Sequence, residues 1–447
     1  MIKVFKTFLL DLFKNYPINS DNKILIAYSG GVDSHVLLHA IVQLRQEFPE
    51  LKLKAVHIHH GLFEAANQWA QHCRQVCDEL KVELQIINVE IKRVQGASVE
   101  EAARALRYAA LEKLLQRNDI LITAHHADDQ AETCLLQFLR GAGIKGLASM
   151  PAIVSFSAGF LARPFLSISR QKILQYAQKN KLSWVEDHSN HDLNFTRNFL
   201  RYKIMPEFRK RWPNINKTIM RVANNCSDAN ELLKDLAAQD IKKLKGRVKN
   251  TLSISKLKKL SFRRQKNVLR EWIDAQNFRL PSAIKLQHII SDVINARTDA
   301  VPCVAWGKAE IRSYQDNLYI MKSLSELDHN VVLSWDGKKP LKLPENLGIL
   351  RIKKIVGKGL KAEVLKRKLE IKFRQGGEQC KLFGREGTHK LKKLFQEWGV
   401  PPWQRDRVPL FYVDNQLAAI IGHAVCREFV ADAKEAGVVI TLHKSIK

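Results

Sequence analysis

The sequence predicts an α/β protein: an N-terminal, mainly parallel sheet with helices on both faces, then a small helical domain, then a mixed α+β C-terminal domain. Three observations carry that expectation. The first 210 or so residues alternate short apolar runs with helical stretches, and the texture changes after Trp212. At 447 residues the chain is also too long for one ordinary hydrophobic core. The expected domains are 1–212, 213–325 and 326–447.

The opening residues carry Phe5, Leu9 and Phe13 at helical spacing, interrupted by Asp11 and Lys14, with no small-residue cleavage site after them. An amphipathic helix fits this better than a signal peptide. Residues 24–28 read as a buried strand, followed by a helix over 34–48. Further strands are expected at 53–57, 82–88 and 119–124, followed by helices over 67–80, about 98–116, and 127–140. Strands separated by helices require crossovers, so the sheet is mainly parallel. Ligands of such sheets bind beyond the carboxyl ends of the strands.

Past Trp212, residues 215–240 place Ile219, Val222, Leu232, Leu233 and Leu236 at helical spacing. Residues 241–270 hold 12 Lys or Arg and no acid. They predict a basic, mostly helical domain, and the polar stretch 325–330 precedes a strand-rich one. There is no internal repeat.

The formal charge is +28, from 73 Lys and Arg against 45 Asp and Glu. An excess of that size predicts a polyanionic partner, nucleic acid ahead of membrane. No run of about 18 apolar residues is present, which excludes a membrane-spanning helix. The seven cysteines, Cys73, Cys77, Cys134, Cys226, Cys303, Cys380 and Cys426, form no CxxC pair. That argues against a disulfide framework and a thiolate zinc site, and for a reducing, cytoplasmic setting.

The chemistry starts at Ser29-Gly30-Gly31-Val32-Asp33-Ser34, between the first strand and its helix. Glycines allow a ligand to approach the backbone, and free N–H groups at the helix start, with two hydroxyls, suit a phosphate or pyrophosphate. Asp33 would repel phosphate unless it holds Mg²⁺ or positions an amine. A bare Gly-Gly is also what any tight strand-to-helix turn uses. The rival phosphate loops, GxxxxGK[ST] and GxGxxG, are absent here.

A second cluster, Ala124-His125-His126-Ala127-Asp128-Asp129-Gln130-Ala131-Glu132-Thr133, falls at the end of the fourth expected strand and so at the same sheet edge. Asp129 and Glu132, three apart, share a helical face. His57, His59 and His60 follow the second strand. They read either as ordinary surface or core histidines, or as shaping a loop where the backbone at Ile58 meets an adenine. Arg104, Arg107 and Tyr108 lie within reach of one helix face, Arg104 as a phosphate or carboxylate clamp and Arg107 also as an ordinary exposed charge. Arg163-Pro164-Phe165-Leu166 and Glu186-Asp187-His188-Ser189-Asn190 then lead into Arg197-Asn198-Phe199-Leu200-Arg201, a polar run that also serves to cap a helix.

Together these segments resemble the tRNA(Ile)-lysidine synthetases, a branch of the PP-loop ATP-pyrophosphatase family with a Rossmann-like fold. So do Phe373-Arg374-Gln375-Gly376-Gly377-Glu378, residues 390–397 and Val400-Pro401-Pro402-Trp403-Gln404-Arg405. One departure is Ala124, where the family commonly has glycine. The resemblance implies ATP and Mg²⁺ as cofactors, and tRNA(Ile) with a CAU anticodon and L-lysine as partners. The implied reaction adenylates C2 of the wobble cytidine, then joins the lysine ε-amine with loss of AMP.

By the same resemblance, Ser29, Gly30, Gly31, Val32, Asp33, Ser34, Ile58 and His125 bind the nucleotide, with Asp33 at the metal or the lysine. Asp129 and Glu132 position the amine and take its proton. Asn190, Arg197 and Arg201 hold the lysine carboxyl or the reacting nucleotide, Arg201 within the catalytic set, and Arg104 and Arg107 contact substrate. A homodimer is compatible with the family, and no local feature demonstrates one.

A small-molecule ligase would not need the two basic domains. Residues 351–405 alone hold 16 Lys or Arg against 5 Asp or Glu. Arg374, Arg385, Lys390, Lys392 and Lys393 are the phosphate-contact candidates there, although the lysines of 390–395 also fit the solvated face of an amphipathic helix. Trp398 and Trp403 read as packing groups. A tRNA thiolase, a small-substrate ligase and a noncatalytic RNA-binding protein remain the rival readings.

Overall fold

A computed structural model describes residues 1–18, 21–59, 65–89, 99–186, 192–297 and 300–443. His60 and Asp187 through Asn190 lie outside the described residues, as does the side chain of Glu101. The chain divides into two units, Met1–Leu233 and Lys234–Lys447.

In the first unit the strands are β1 (Lys23–Ala27), β2 (Lys52–His59), β3 (Glu83–Asn88), β4 (Ile120–Ile122), β5 (Ile153–Phe156) and β6 (Gly159–Ala162). The helices are α1 (Ile2–Asn15), α2 (Val32–Val42), α3 (Ala65–Glu79), α4 (Val99–Glu112), α5 (Ala127–Leu139), α6 (Ile144–Leu147), α7 (Arg170–Lys179), α8 (Thr196–Phe199), α9 (Met205–Arg211) and α10 (Ile215–Lys243), the last running into the second unit. A π-helical turn, Leu200–Ile204, joins α8 to α9.

The sheet order is β3-β2-β1-β4-β6-β5, parallel except for β5. The two-residue period of the strands explains the helices on both faces. Ile24, Ile26, Ile120 and Ile122 point into one core with α1, α2, α3 and α7. Leu25, Val56, Leu121 and Leu161 point the other way, against Leu111 of α4. Burial of each such side chain contributes about 1.5–3 kcal/mol. The opening helix buries Phe5, Leu9 and Leu12 completely, so it is part of the core. The β5–β6 hairpin has no counterpart among the expected elements, since four-residue strands around Ser157-Ala158 carry little periodicity.

The second unit contains α11 (Ile254–Leu257), α12 (Phe262–Ala275) and α13 (Ala283–His288), with a four-stranded antiparallel sheet. Its strands are β7 (Leu252–Ser253), β8 (Cys303–Trp306), β9 (Ala309–Tyr314) and β10 (Asn317–Lys322), ordered β7-β10-β9-β8. The helical texture expected there is present, but the sheet was not foreseen.

Beyond it run β11 (Leu333–Trp335), β12 (Leu341–Lys342), β13 (Ile349–Val356), β14 (Leu360–Lys361), β15 (Leu369–Lys372), β16 (Gln379–Cys380) and β17 (His389–Lys390). Then come α14 (Leu391–Glu397), α15 (Pro402–Arg405), β18 (Leu410–Val413), β19 (Gln416–Ile420), β20 (Ala424–Val425) and β21 (Ala436–His443). Two sheets, β11-β15-β18-β19-β20 and β12-β13-β21-β14, share one apolar core. Among the described residues no helix is long and apolar enough to cross a membrane.

Candidate active site

Because β1, β2, β4 and β6 run parallel, the residues that follow each of them meet at one edge. The loop after β1 turns through Gly30 at φ +86°, where a Cβ would sit 3.0 Å from Cys73 Sγ. Gly31 is the N-cap of α2. Ser34 Oγ donates to Gly31 O at 2.9 Å, accepts from Ser29 N at 3.2 Å and lies 3.0 Å from Ser29 Oγ. The loop is therefore braced from inside by its own serines, and the backbone N–H groups at the start of α2 remain for an anion. Val32 packs into the core behind it.

His57 proves to be a core residue. It is buried, its Nδ1 pairs with Tyr28 O at 3.0 Å, and burial pushes its pKa down. His59 Nε2 lies 3.2 Å from Asn67 Oδ1. Ile58 contributes its side chain to the core over α4.

After β4, His126 caps α5 in a capping box: Asp129 N donates to His126 Nδ1, and His126 N donates to Asp129 Oδ2 at 3.0 Å. His126 Nε2 also lies 3.7 Å from Asp33 Oδ2, and so joins the loop after β1 to the acidic helix. The other Asp33 oxygen, Oδ1, is buried without a hydrogen-bond partner. Burial lifts the Asp33 carboxyl above its ordinary range, against the pull of His126 and with the help of Asp129.

Asp129 and Glu132 face two arginines. Arg201 Nε donates to Glu132 Oε1 at 2.7 Å, and its Nη2 donates to Asp129 Oδ1 at 2.9 Å and Glu132 Oε2 at 2.8 Å. Arg197 Nε donates to Glu132 Oε2 at 2.9 Å, and its Nη2 to Asp129 Oδ1 at 3.1 Å. Two acids and two guanidinium groups thus form one hydrogen-bonded group, with Glu132 only 2% exposed. Burial alone would raise Asp129, but His126, Arg197, His125 and Arg201 win and hold the carboxyl at about 2. Burial works to lower Arg201, yet its bonds to Glu132 and the nearby Asp129 leave it raised.

His125 pairs its Nδ1 with Thr123 Oγ1 at 2.8 Å. Burial pushes it down to about 3; Asp129 opposes the shift, while Arg163, Arg104 and Arg197 add to it. His125 is therefore neutral at working pH, and those arginines are near enough to act on it. Arg104 and Arg107 both lie over the Tyr108 ring, at 5.4 and 5.7 Å from its centroid.

Asp33, His125, Asp129, Glu132, Arg197 and Arg201 are thus brought together, with Arg104 beside them. Arg374, Lys390, Lys392 and Lys393 belong to the second unit. Arg374 is partly buried there and donates to Asp406 at 2.8 Å, while Lys390, Lys392 and Lys393 are exposed.

Two residues at this edge lie in segments quoted from the sequence but were given no role there. His126 holds the site together as described. Arg163, directly after β6, is buried and donates to Pro151 O at 2.8 Å. The parallel-strand rule would have placed Arg163 at this edge had β6 been recognised. Among the described residues no group of three or more His, Cys, Asp or Glu could hold a metal. The orphaned Asp33 Oδ1 does fit a cation whose other ligands come from phosphate oxygens.

A PP-loop domain model matches residues 1–208. Models described as a TilS substrate binding domain and a TilS substrate C-terminal domain match 252–319 and 369–442. The tRNA(Ile)-lysidine synthase of Coxiella burnetii is 45% identical over 420 residues, 94% of this chain and 93% of that protein. The chain belongs to the tRNA(Ile)-lysidine synthase family. The enzyme of the same name from Legionella pneumophila (strain Lens) is 40% identical over 90% of this chain and 91% of its own. That of Serratia proteamaculans is 40% identical over 91% and 92%. The loop after β1 and the whole acid–arginine group lie within the residues matched by the PP-loop model.

Proposed function

We propose that this chain is an ATP-dependent ligase that converts C34 of tRNA(Ile) with a CAU anticodon to lysidine. The observation that carries the reading is the Asp129–Glu132–Arg197–Arg201 group, linked through His126 to Asp33 in the ATP loop. An acid pair beside a pyrophosphate loop suits a reaction in which an amine displaces an adenylate.

In the first step the C2 oxygen of cytidine bonds to the α-phosphorus of ATP and pyrophosphate leaves. The N–H groups of Val32 through Ser34 are assigned to the phosphates. Mg²⁺, held by Asp33, would neutralise charge on the phosphates. In the second step the lysine ε-nitrogen bonds to C2, the bond from C2 to the adenylate oxygen breaks, and AMP leaves. Free lysine has a pKa of about 10.4, so its ammonium must lose a proton at the site.

A carboxyl held at about 2 stays charged and attracts the ammonium, but it is a weak base. We therefore assign Asp129, with Glu132, to orienting the amine and relaying its proton toward solvent, and Asp33 to the metal. Arg197 and Arg201 fix the acids and supply charge for the lysine carboxylate or the reacting nucleotide. Arg104 and Arg107, with Asn190 outside the described residues, are assigned to substrate. Residues 213–325 and 326–447 serve as the two tRNA-binding domains in this reading. A thiolase reading lacks a competent thiol at this edge, since Cys73 and Cys77 are buried and pushed up to about 12.

The test is to incubate purified protein with ATP, labelled L-lysine and an unmodified tRNA(Ile) transcript bearing the CAU anticodon. The expected outcome is stable label at C34 with one AMP released per lysine. Protein that binds ATP and tRNA yet transfers no lysine would end this reading.

A further inference from the structure

The basic excess of the second unit is unevenly used. Arg367 pairs with Asp414, Lys368 and Lys372 with Glu370, Arg374 with Asp406, and Arg385 with Glu397. These cations are already paired within the protein. The sheet β12-β13-β21-β14 is different, and its register shows why.

Directly paired residues of antiparallel strands share a face. Leu341 pairs with Leu350, Leu350 with Leu442, Ile352 with Ile440, and Leu360 with Val438. All of them belong to the apolar core. The alternate positions must therefore look outward. They are Lys342 on β12, Arg351 and Lys353 on β13, and Lys361 on β14, opposite Ile349, Thr441, Val439 and Gly437 respectively. Lys342, Arg351 and Lys353 are exposed and Lys361 half-buried.

No acid occupies an outward position of these four strands, and among the described residues none of the four cations is paired with an acid. One face of this sheet thus packs the core and the other carries only cationic, hydroxyl, imidazole and aliphatic groups. A solvated face ordinarily mixes charges of both signs.

We propose that the outward face of this sheet, through Lys342, Arg351, Lys353 and Lys361, docks the phosphate backbone of the tRNA. All four residues lie between 319 and 369, outside the stretches matched by the two substrate-domain models. The occupant follows from charge complementarity: cations on three of the four strands and no acid suit a polyanion. Arg351 and Lys353, two residues apart on one strand, stand about 7 Å apart along it and present two charges in a row. The contact is with the backbone, so it aligns the RNA without reading bases. This inference rests on the reading that the substrate is a tRNA.

The experiment compares the full-length wild type with a double variant, Arg351→Gln and Lys353→Gln. Binding of the unmodified tRNA(Ile) transcript and of an unrelated tRNA is titrated at several salt concentrations. The exposed substitutions should leave thermal unfolding and ATP affinity unchanged. Affinity for both RNAs should fall by about tenfold at low salt, and the slope of log affinity against log salt should shrink by about two.

Unchanged affinity and slope, with wild type binding normally, would overturn the proposal alone. Failure of the wild type to bind any tRNA would instead remove the reading on which it rests. A loss confined to tRNA(Ile) would overturn backbone docking in favour of base recognition. Loss of binding to anionic phosphatidylserine vesicles with tRNA affinity intact would assign the face to a membrane and overturn it as well.

Discussion

At the level of single residues, Asp129 carries two loads. It closes the capping box of α5 and it faces both arginines. Asp129→Asn should therefore lower lysine transfer about 100-fold or more, and, since it also removes a charge that both arginines face, cost about 1–3 kcal/mol of stability. Turnover near the wild-type rate would remove Asp129 from the amine site. Gly30→Ala places a side chain at φ +86° and 3.0 Å from Cys73 Sγ, so on the order of 1–2 kcal/mol of strain should appear as a lower unfolding temperature and weaker ATP binding.

The buried histidines set a pH dependence with a definite sign. Burial lowers His35 and His57, so they are neutral when folded, whereas the unfolded chain takes up protons near its pKa of about 6.5. Their contribution to stability is complete above that value and is lost as the pH falls toward their folded values. Asp129 acts in the same sense but lower, its contribution disappearing only as the pH falls through about 2. The unfolding temperature of the first unit should be several degrees lower near pH 5 than above about pH 7; equal values would show that these burials carry no weight. His57 was ambiguous in the sequence because a histidine beyond a strand end looks the same whether it faces a ligand or a carbonyl oxygen.

At the level of elements, the central strands and helices of the first unit were legible because their apolar runs are long and their punctuation clear. The β5–β6 hairpin and the sheet β7-β10-β9-β8 were not. Yet β8, β9 and β10 are joined by two-residue turns at Gly307-Lys308 and Gln315-Asp316, and Gly307 and Gln315 have positive φ, as such turns require. The basic residues around them drew attention to charge and away from that alternation.

The start of α5 shows what no pattern search would reveal. Asp128 Oδ1 accepts from Arg209 and from Asn216, both at 2.8 Å, and its Oδ2 accepts from Arg170 N at 2.9 Å. One carboxylate thus ties α5 to the starts of α7 and α10 and to α9. Asp128→Ala should cost about 1–3 kcal/mol, read as a drop in unfolding temperature, because it removes three hydrogen bonds from part-buried donors, one of them charged. An unchanged unfolding temperature would mean that these bonds are replaced by water at no cost. Neighbouring acids in the sequence, Asp128 and Asp129, are told apart only by which way α5 turns them.

For the molecule as a whole, the +28 charge was legible as a sign of a polyanionic partner, but its distribution was not. Arg374 and Arg385 stood out because they sit in dense motifs, and both are paired with acids. Arg351 and Lys353 sit in an ordinary-looking strand, and only the register of β13 against β21 separates their face from the core. If some six to ten phosphates are contacted in all, tRNA affinity should fall by about 10³–10⁵ between roughly 50 and 200 mM salt. A shallow dependence would mean that most of the charge is not used for RNA.

The union of Asp129 and Glu132 with Arg197 and Arg201 has a kinetic side. Two negative and two positive groups cancel, so the amine site projects little field of its own into solution. Free lysine, a net cation, must then approach a strongly positive molecule without long-range help, while RNA is drawn in from a distance. Ionic strength should act on the two substrates in opposite directions, hastening lysine capture as it slows capture of the tRNA, and overall turnover should pass through a maximum at intermediate salt.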